Sequence, residues 1–308
     1  MFSYKKGNEI CVVKDKDNKI IKTVYIDEDE DDKKEKEVLD TLKPDEILPK
    51  TFYTKLRDIT PSNMILLKRA IRRNDISILP ENSATKEAFK HANEILQENT
   101  QKSIKINTGK IQPIPPNKHW AMSVYGASGC GKSTFVGKFM TEFKRMHKTK
   151  PIYVFSSITD DPAFKKAKPT YIKLDDTIME DPFMVSEFAN SLCVFDDLES
   201  LPNHLFKALN KFRDQCLEVG RHSKVNTISI NHVIQGGHLT KRLQNESNIT
   251  VIYPRTNFSA ITKLCKSQYG FTVNEIQKIK DMSKVSRWVL VSRDYPTYIM
   301  SENEIMLA

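Results

Sequence analysis

The stretch "VYGASGCGKST", residues 124–134, constrains the fold more than any other part of the chain. Gly126, four further residues, Gly131, Lys132 and Ser133 meet the spacing Gly-x-x-x-x-Gly-Lys-Ser/Thr. Its surroundings fit that spacing. "HWAMSVYG" ahead of it reads as a strand, and behind it Phe135, Val136, Phe139, Met140 and Phe143 recur at helical spacing. A strand, a glycine-rich turn and a helix in this order make a phosphate cradle. The backbone N–H groups of Gly126, Ala127, Ser128, Gly129, Cys130 and Gly131 curl inward, and the helix N-terminus at Lys132, Ser133 and Thr134 adds its partial positive charge. Lys132 is placed to neutralise β- and γ-phosphate oxygens, and the Ser133 hydroxyl to ligate Mg²⁺, so ATP and Mg²⁺ are the expected cofactors.

A magnesium site of this kind also needs a carboxylate at the end of a neighbouring strand. "SLCVFDD" supplies one: a run buried on both faces ends in Asp196, the expected metal ligand. Asp197 follows at once, where ATPases with an additional strand usually carry glutamate as the base that orients water. Aspartate is one methylene shorter, roughly 1.5 Å of reach. Either the site closes around Asp197 or Glu199 takes the role. "NTISINH" ends in Asn231, a candidate for sensing the γ-phosphate, although a polar strand end is an equal reading; His232 reads equally as a satisfied turn residue. Arg221 in "EVGRHSKV" and Arg242 in "LTKRLQNES" are candidates for an arginine supplied across a subunit interface, against the alternative of solvated helix positions.

The remaining sequence alternates strand and helix. "PIYVFSS", "YIKL", "NTISIN" and "NITVIYP" read as strands; "HLFKALNKFRDQCLEV" and "LTKRLQNES" read as helices; "RWVLVSRDYPTYIMS" reads as a closing hairpin. Apolar strands separated by helices predict an α/β domain, a parallel sheet flanked by helices, over 111–308. The proline-rich "KIQPIPPNKH" marks its start, with residues 1–110 as an N-terminal appendage. That appendage holds a predicted hairpin over 10–26, an acidic run at Asp27–Asp32 that reads as a disordered linker or a lure for a basic partner, and two helices. The first of these, from Pro61, takes Ser62 or Asn63 as its cap and carries Lys68, Arg69, Arg72 and Arg73, a solvated face or a contact to phosphates.

Composition narrows the partners. Of the 308 residues none forms a run of ~20 apolar ones, and "MFSYKKGNEI" lacks a secretory apolar middle, so we expect a soluble protein without a membrane partner. Five scattered cysteines suit neither a disulfide framework nor paired zinc ligands, which points to inert thiols and a reducing compartment. A net charge of +9 suits a polyanion.

Taken in order, "GASGCGKST", "PIYVFSS" with "DDPAF", "CVFDDLES", "GRH" ahead of "NTISINH", and "NITVIYPR" resemble the genome-packaging ATPases of large double-stranded DNA viruses, the poxvirus, giant-virus and virophage type within the HerA/FtsK superfamily of P-loop NTPases. The likeness covers roughly 110–300. It implies an additional-strand, RecA-like core that assembles as a homo-oligomeric ring, a hexamer or pentamer, and uses ATP to move double-stranded DNA into a capsid. It also implies a capsid vertex protein as docking partner, and the host cytoplasm (virus factory) or the virion as location. Lys132, Ser133, Asp196 and Asp197 carry over for nucleotide, Mg²⁺ and water. Many superfamily members have glutamine at the sensor strand tip, where this chain has "INH". Lys207, Lys211, Lys241 and Arg242 are candidate DNA contacts. Two other readings remain: a small-molecule or nucleotide kinase, and a nucleotide-binding assembly scaffold with little turnover.

Overall fold

The structure, a computed structural model, describes residues 2–26, 52, 56, 59–73, 75–81, 83–99, 103–234 and 238–308; the acidic run Asp27–Asp32 lies outside them. Two compact units divide the chain, Met1–Gly7 with Tyr25–Ile104 and Asn8–Val24 with Lys105–Ala308. In the first, β1 (Phe2–Ser3) pairs antiparallel with Tyr25 and Ile26. Two amphipathic helices, α1 (Pro61–Arg73) and α2 (Ser83–Asn99), close on Leu67, Ala70, Ala88, Phe89 and Ala92. The cap of α1 is Thr60 and not Ser62 or Asn63: its Oγ1 accepts from Asn63 N at 3.4 Å, and Pro61 takes the first helical position, where its missing N–H costs nothing.

The predicted N-terminal hairpin forms, as β2 (Asn8–Lys14) and β3 (Ile20–Ile26). The side chain of Asp15 caps the turn between them by accepting from the Asp17 and Lys19 amides, both at 2.9 Å. β4 (Ser103–Lys105) spans the point in the chain where the first unit ends. β2 pairs antiparallel with β5 (Lys110–Pro113), and Lys14 at its end forms an ion pair with the buried Glu142. These bonds group Asn8–Val24 with the phosphate-loop unit, so the compact units do not follow a single boundary at residue 110.

The main sheet of the second unit is built from β6 (Ala121–Tyr125), β7 (Ile152–Ser156), β8 (Thr170–Tyr171), β9 (Leu192–Asp196), β10 (Asn226–Asn231), β11 (Ile249–Ile252), β12 (Val289–Ser292), β13 (Tyr298–Ser301) and β14 (Glu304–Leu307). Their order is β14-β13-β12-β11-β6-β10-β9-β7-β8. From β11 to β8 every pairing is parallel, and β12 to β14 add an antiparallel margin. The residues of β6, β9, β10 and β11 are all buried, as continuous apolar strands covered on both faces require.

Helices α3 (Lys132–Met146), α4 (Thr177–Glu180), α5 (Asn203–Ser223), α6 (His238–Glu246), α7 (Phe258–Gln268) and α8 (Val273–Val285) connect the strands. One core cluster joins Phe155 and Phe195, their rings stacked at 4.9 Å, to Leu209 and Phe212 of α5. Another joins Ile252, Val289 and Ile299 to Ile261 of α7 and Ile279 of α8. The second of these holds two helices that the strand-by-strand reading left out. All five cysteines are free thiols, four of them buried. Among the described residues no helix is long and apolar enough to cross a membrane.

Candidate nucleotide-binding and hydrolysis site

β6, β9 and β10 run parallel, so their C-terminal ends lie along one sheet edge. Tyr125 is level with Asn231, and Phe195 with Ser229, which brings the loop after β6 and the acids after β9 to the same rim. β10 stands between the loop strand and the Asp-bearing strand. This is the additional strand that the resemblance implies.

The loop itself needs its glycines. Gly129 and Gly131 hold φ of +75° and +104°, a region that glycine enters without a Cβ penalty. A Cβ on Gly126 would stand 2.6 Å from Cys130 Sγ and 3.0 Å from Tyr253 Cβ, so the chain passes close beneath the loop there. The residue at the start of α3, Gly131, has no side chain to cap it, and the helix's positive end lies at the loop. Lys132 is buried, with Nζ donating to Gly126 O at 2.8 Å and Ala127 O at 3.1 Å. Burial draws its pKa below the ordinary lysine value, while Cys130, Asp196, Asp197 and Glu199 hold it up.

Asp196 ends β9 and is 8% exposed. Its pKa is pushed up to about 6, first by burial and then by the like charges of Asp197 and Asp161, with Lys132 opposing. A carboxylate held at such a cost is suited to a cation. Among the described residues no group of three or more His, Cys, Asp or Glu side chains is placed to hold a metal ion. Mg²⁺ is commonly held by one or two protein oxygens together with water and substrate phosphates. The Asp196 carboxylate and the Ser133 hydroxyl are an oxygen-donor pair of this type, so the residues present fit the ion.

Asp197 has a left-handed backbone, φ 52° and ψ 34°, and opens the 3-10 turn Leu198–Ser200. This conformation is uncommon outside glycine, asparagine and aspartate, and it turns the side chain away from the strand direction. Its Oδ1 lies 3.5 Å from His232 Nε2, and the other ring nitrogen, Nδ1, lies 3.3 Å from Lys132 Nζ. His232 therefore links the loop lysine to the second aspartate. The signal for it was present: it is the first residue past the strand that separates loop and acids.

Asn231 is bonded within its own strand. Its Nδ2 donates to Ser229 O at 3.0 Å and its Oδ1 accepts from Ser229 Oγ at 3.2 Å, so the amide turns back along its own strand. Its carbonyl accepts from Gly126 N at 3.2 Å and anchors the start of the loop. Glu199 is exposed in the turn after Asp197. Arg221 is exposed on the last turn of α5, just ahead of β10, and so belongs to the sheet edge opposite the loop. Arg242 forms ion pairs with Glu218 at 2.9 Å and Asp214 at 3.2 Å.

No protein-family model matches the chain. A protein of Sputnik virophage, uncharacterized protein V3, is 26% identical over 202 residues, which cover 64% of this chain and 81% of that protein. Similar solved structures include the genome packaging NTPase B204 from Sulfolobus turreted icosahedral virus 2 in complex with ATPγS, with a TM-score of 0.42 and 10% identity over 60% of this chain and 97% of that one. They also include the pCW3 conjugation coupling protein TcpA with ATPγS, with a TM-score of 0.41 and 12% identity over 66% of each chain. A virophage protein and a viral genome-packaging NTPase are thus among the proteins to which the chain is similar.

Proposed function

We propose that the chain is an ATPase that drives double-stranded DNA into a viral capsid, working as a homo-oligomeric ring of five or six copies docked at a capsid vertex protein. The observation that carries the reading is the convergence on one sheet rim: a glycine-shaped cradle with Lys132 buried inside it, Asp196 and Asp197 two strands away, and His232 in contact with both Lys132 and Asp197. The DNA and capsid parts are supported by the ordered motifs and by the net charge of +9, and the viral setting by the virophage relative.

In this reading the backbone amides of 126–134 grip the β-phosphate, and Lys132 leaves its two carbonyl partners for β/γ oxygens. Mg²⁺, held by Ser133 and Asp196, would supply neutralisation of the phosphate charge. Asp197 orients the attacking water, and His232 fixes that carboxylate while sensing the state of Lys132. An arginine from a neighbouring copy, Arg221 or Arg242, completes the charge stabilisation.

The test is steady-state phosphate release with Mg²⁺-ATP, with and without linear duplex DNA, beside Lys132→Ala and Asp197→Asn. DNA-stimulated release, lost in both variants, is expected. Release indifferent to DNA would turn the reading towards a kinase lacking its acceptor, and ATP binding with no release towards an assembly scaffold.

A further inference from the structure

Beside the phosphate loop, on the β11 side and so away from Asp196 and Asp197, lies a cavity of about 630 Å³. One wall is Gly131, with Thr134 and Lys138 on the outward face of α3. Facing them is the turn of the N-terminal hairpin, at Lys16 and Asn18. That turn is a built feature. Asp15 caps it, and Lys14 ties it to Glu142 of α3, which Arg145 Nε also contacts at 2.7 Å.

The floor is aromatic. Tyr253 donates its hydroxyl to Gly131 O at 2.8 Å, and Trp288 packs edge-to-face on Phe135 with centroids 5.0 Å apart. The rim is cationic. Lys110 is paired with Glu302 at 2.9 Å, whereas Lys16, Lys138 and Arg287 have no ion-pair partner among the described residues.

In the phosphate-loop reading the γ end of a triphosphate points towards Lys132 and Asp196, which directs its α end towards Thr134, a residue that lines this cavity. Whatever the α-phosphate carries must enter there. Pockets of roughly 300–1,000 Å³ with apolar walls and a few polar groups are the usual size for a small organic ligand, and a nucleoside fits within that range. We propose that the N-terminal hairpin is the wall of a nucleoside pocket, with a purine ring lying along Tyr253 and Trp288 and with Lys16 and Arg287 donating to its acceptor atoms. This rests on the phosphate-loop reading above and deepens it: the hairpin, distant in sequence from the loop, selects what the loop's phosphate is attached to.

The test compares β,γ-methylene ATP with inorganic tripolyphosphate on the full chain, read by amide hydrogen exchange. Both ligands protect 126–134; only the nucleotide protects 14–19 and 286–288. In binding assays Lys16→Ala/Arg287→Ala weakens the nucleotide at least ~10-fold and changes tripolyphosphate by no more than about threefold. The proposal is overturned if the nucleotide protects the loop while 14–19 exchanges as it does with tripolyphosphate. It is equally overturned if the double variant weakens both ligands alike, since the cations would then act only as a general field. Absence of loop protection by either ligand would overturn the phosphate-loop reading itself, and this one with it.

Discussion

Asp196 carries opposite demands at the scale of one residue. Its folded pKa of about 6 stands above the ordinary 3.8, so the neutral form is favoured in the fold. The stability this gives is fully present below about pH 4 and is lost as pH rises through 6. Without Mg²⁺, Asp196→Asn is therefore expected to raise unfolding stability at pH 8 by about 2–3 kcal/mol, a gain that shrinks towards zero at pH 4; chemical denaturation at the two pH values checks it. The same variant is expected to abolish ATP hydrolysis, read by steady-state phosphate release. The neighbouring polar pair separates differently. His232→Ala is expected to lower kcat about 10–100-fold with the KM for ATP within about threefold, because it removes a contact to Asp197 and Lys132 and no contact to the nucleotide's far end. Asn231→Ala is expected to destabilise by about 1–2 kcal/mol, measured by urea unfolding, since it removes two buried hydrogen bonds to Ser229. The motif spacing names Lys132, Ser133 and Asp196 as candidates. It left Asn231 and His232 undivided, because which of two adjacent polar residues turns inward depends on how the strand ends.

Among the elements, α3 is fixed at both faces. On one, Trp120 meets Phe139 edge-to-face at 5.3 Å. On the other, Gly137 lies so close to the backbone of Ala163 that a Cβ would stand 2.0 Å from its carbonyl oxygen. Gly137→Ala would ordinarily strengthen a helix; here it is expected to destabilise by about 2–4 kcal/mol, since backbone and not a flexible side chain must move, and thermal unfolding reads the loss. The apolar strands were readable because their residues are nearly all buried, and the helix after the loop because Phe135, Val136, Phe139, Met140 and Phe143 recur at helical spacing on its buried face. α7 and α8 were not: Ile276, Ile279 and Met282 recur at three-residue intervals but stand among lysines and serines. The glycine in α3 reads from sequence only as a weak helix position, since its partner is a segment more than twenty residues on.

For the whole molecule, the charge balance gives a salt test. Lys207, Lys211 and Lys241 are exposed on α5 and α6. If they meet phosphates of a duplex, replacing all three with alanine weakens DNA binding without regard to sequence and lowers the salt slope by about 2–3, because each phosphate contact contributes roughly 0.9. Nucleotide affinity stays as it was. A filter-binding series over salt, run beside nucleotide titration, separates the two. The α/β class and the additional strand were legible from strand order and motif order. The way the first 110 residues divide between two units was not, since pairing between β2 and β5 joins segments about a hundred residues apart and leaves no local mark.

That division also governs how the polypeptide must be made. Met1–Gly7, Asn8–Val24, Tyr25–Ile104 and Lys105–Ala308 alternate between the two units, so the backbone passes from one to the other three times. No single cleavage can release either unit as one intact piece. During synthesis β2 leaves the ribosome long before β5 and Glu142 exist to receive it, and Val12 and Val13 must wait unpaired on that edge. β2 is thus among the later segments to find its place, and a nascent chain halted before residue 110 lacks the strand that pairs with Cys11–Lys14.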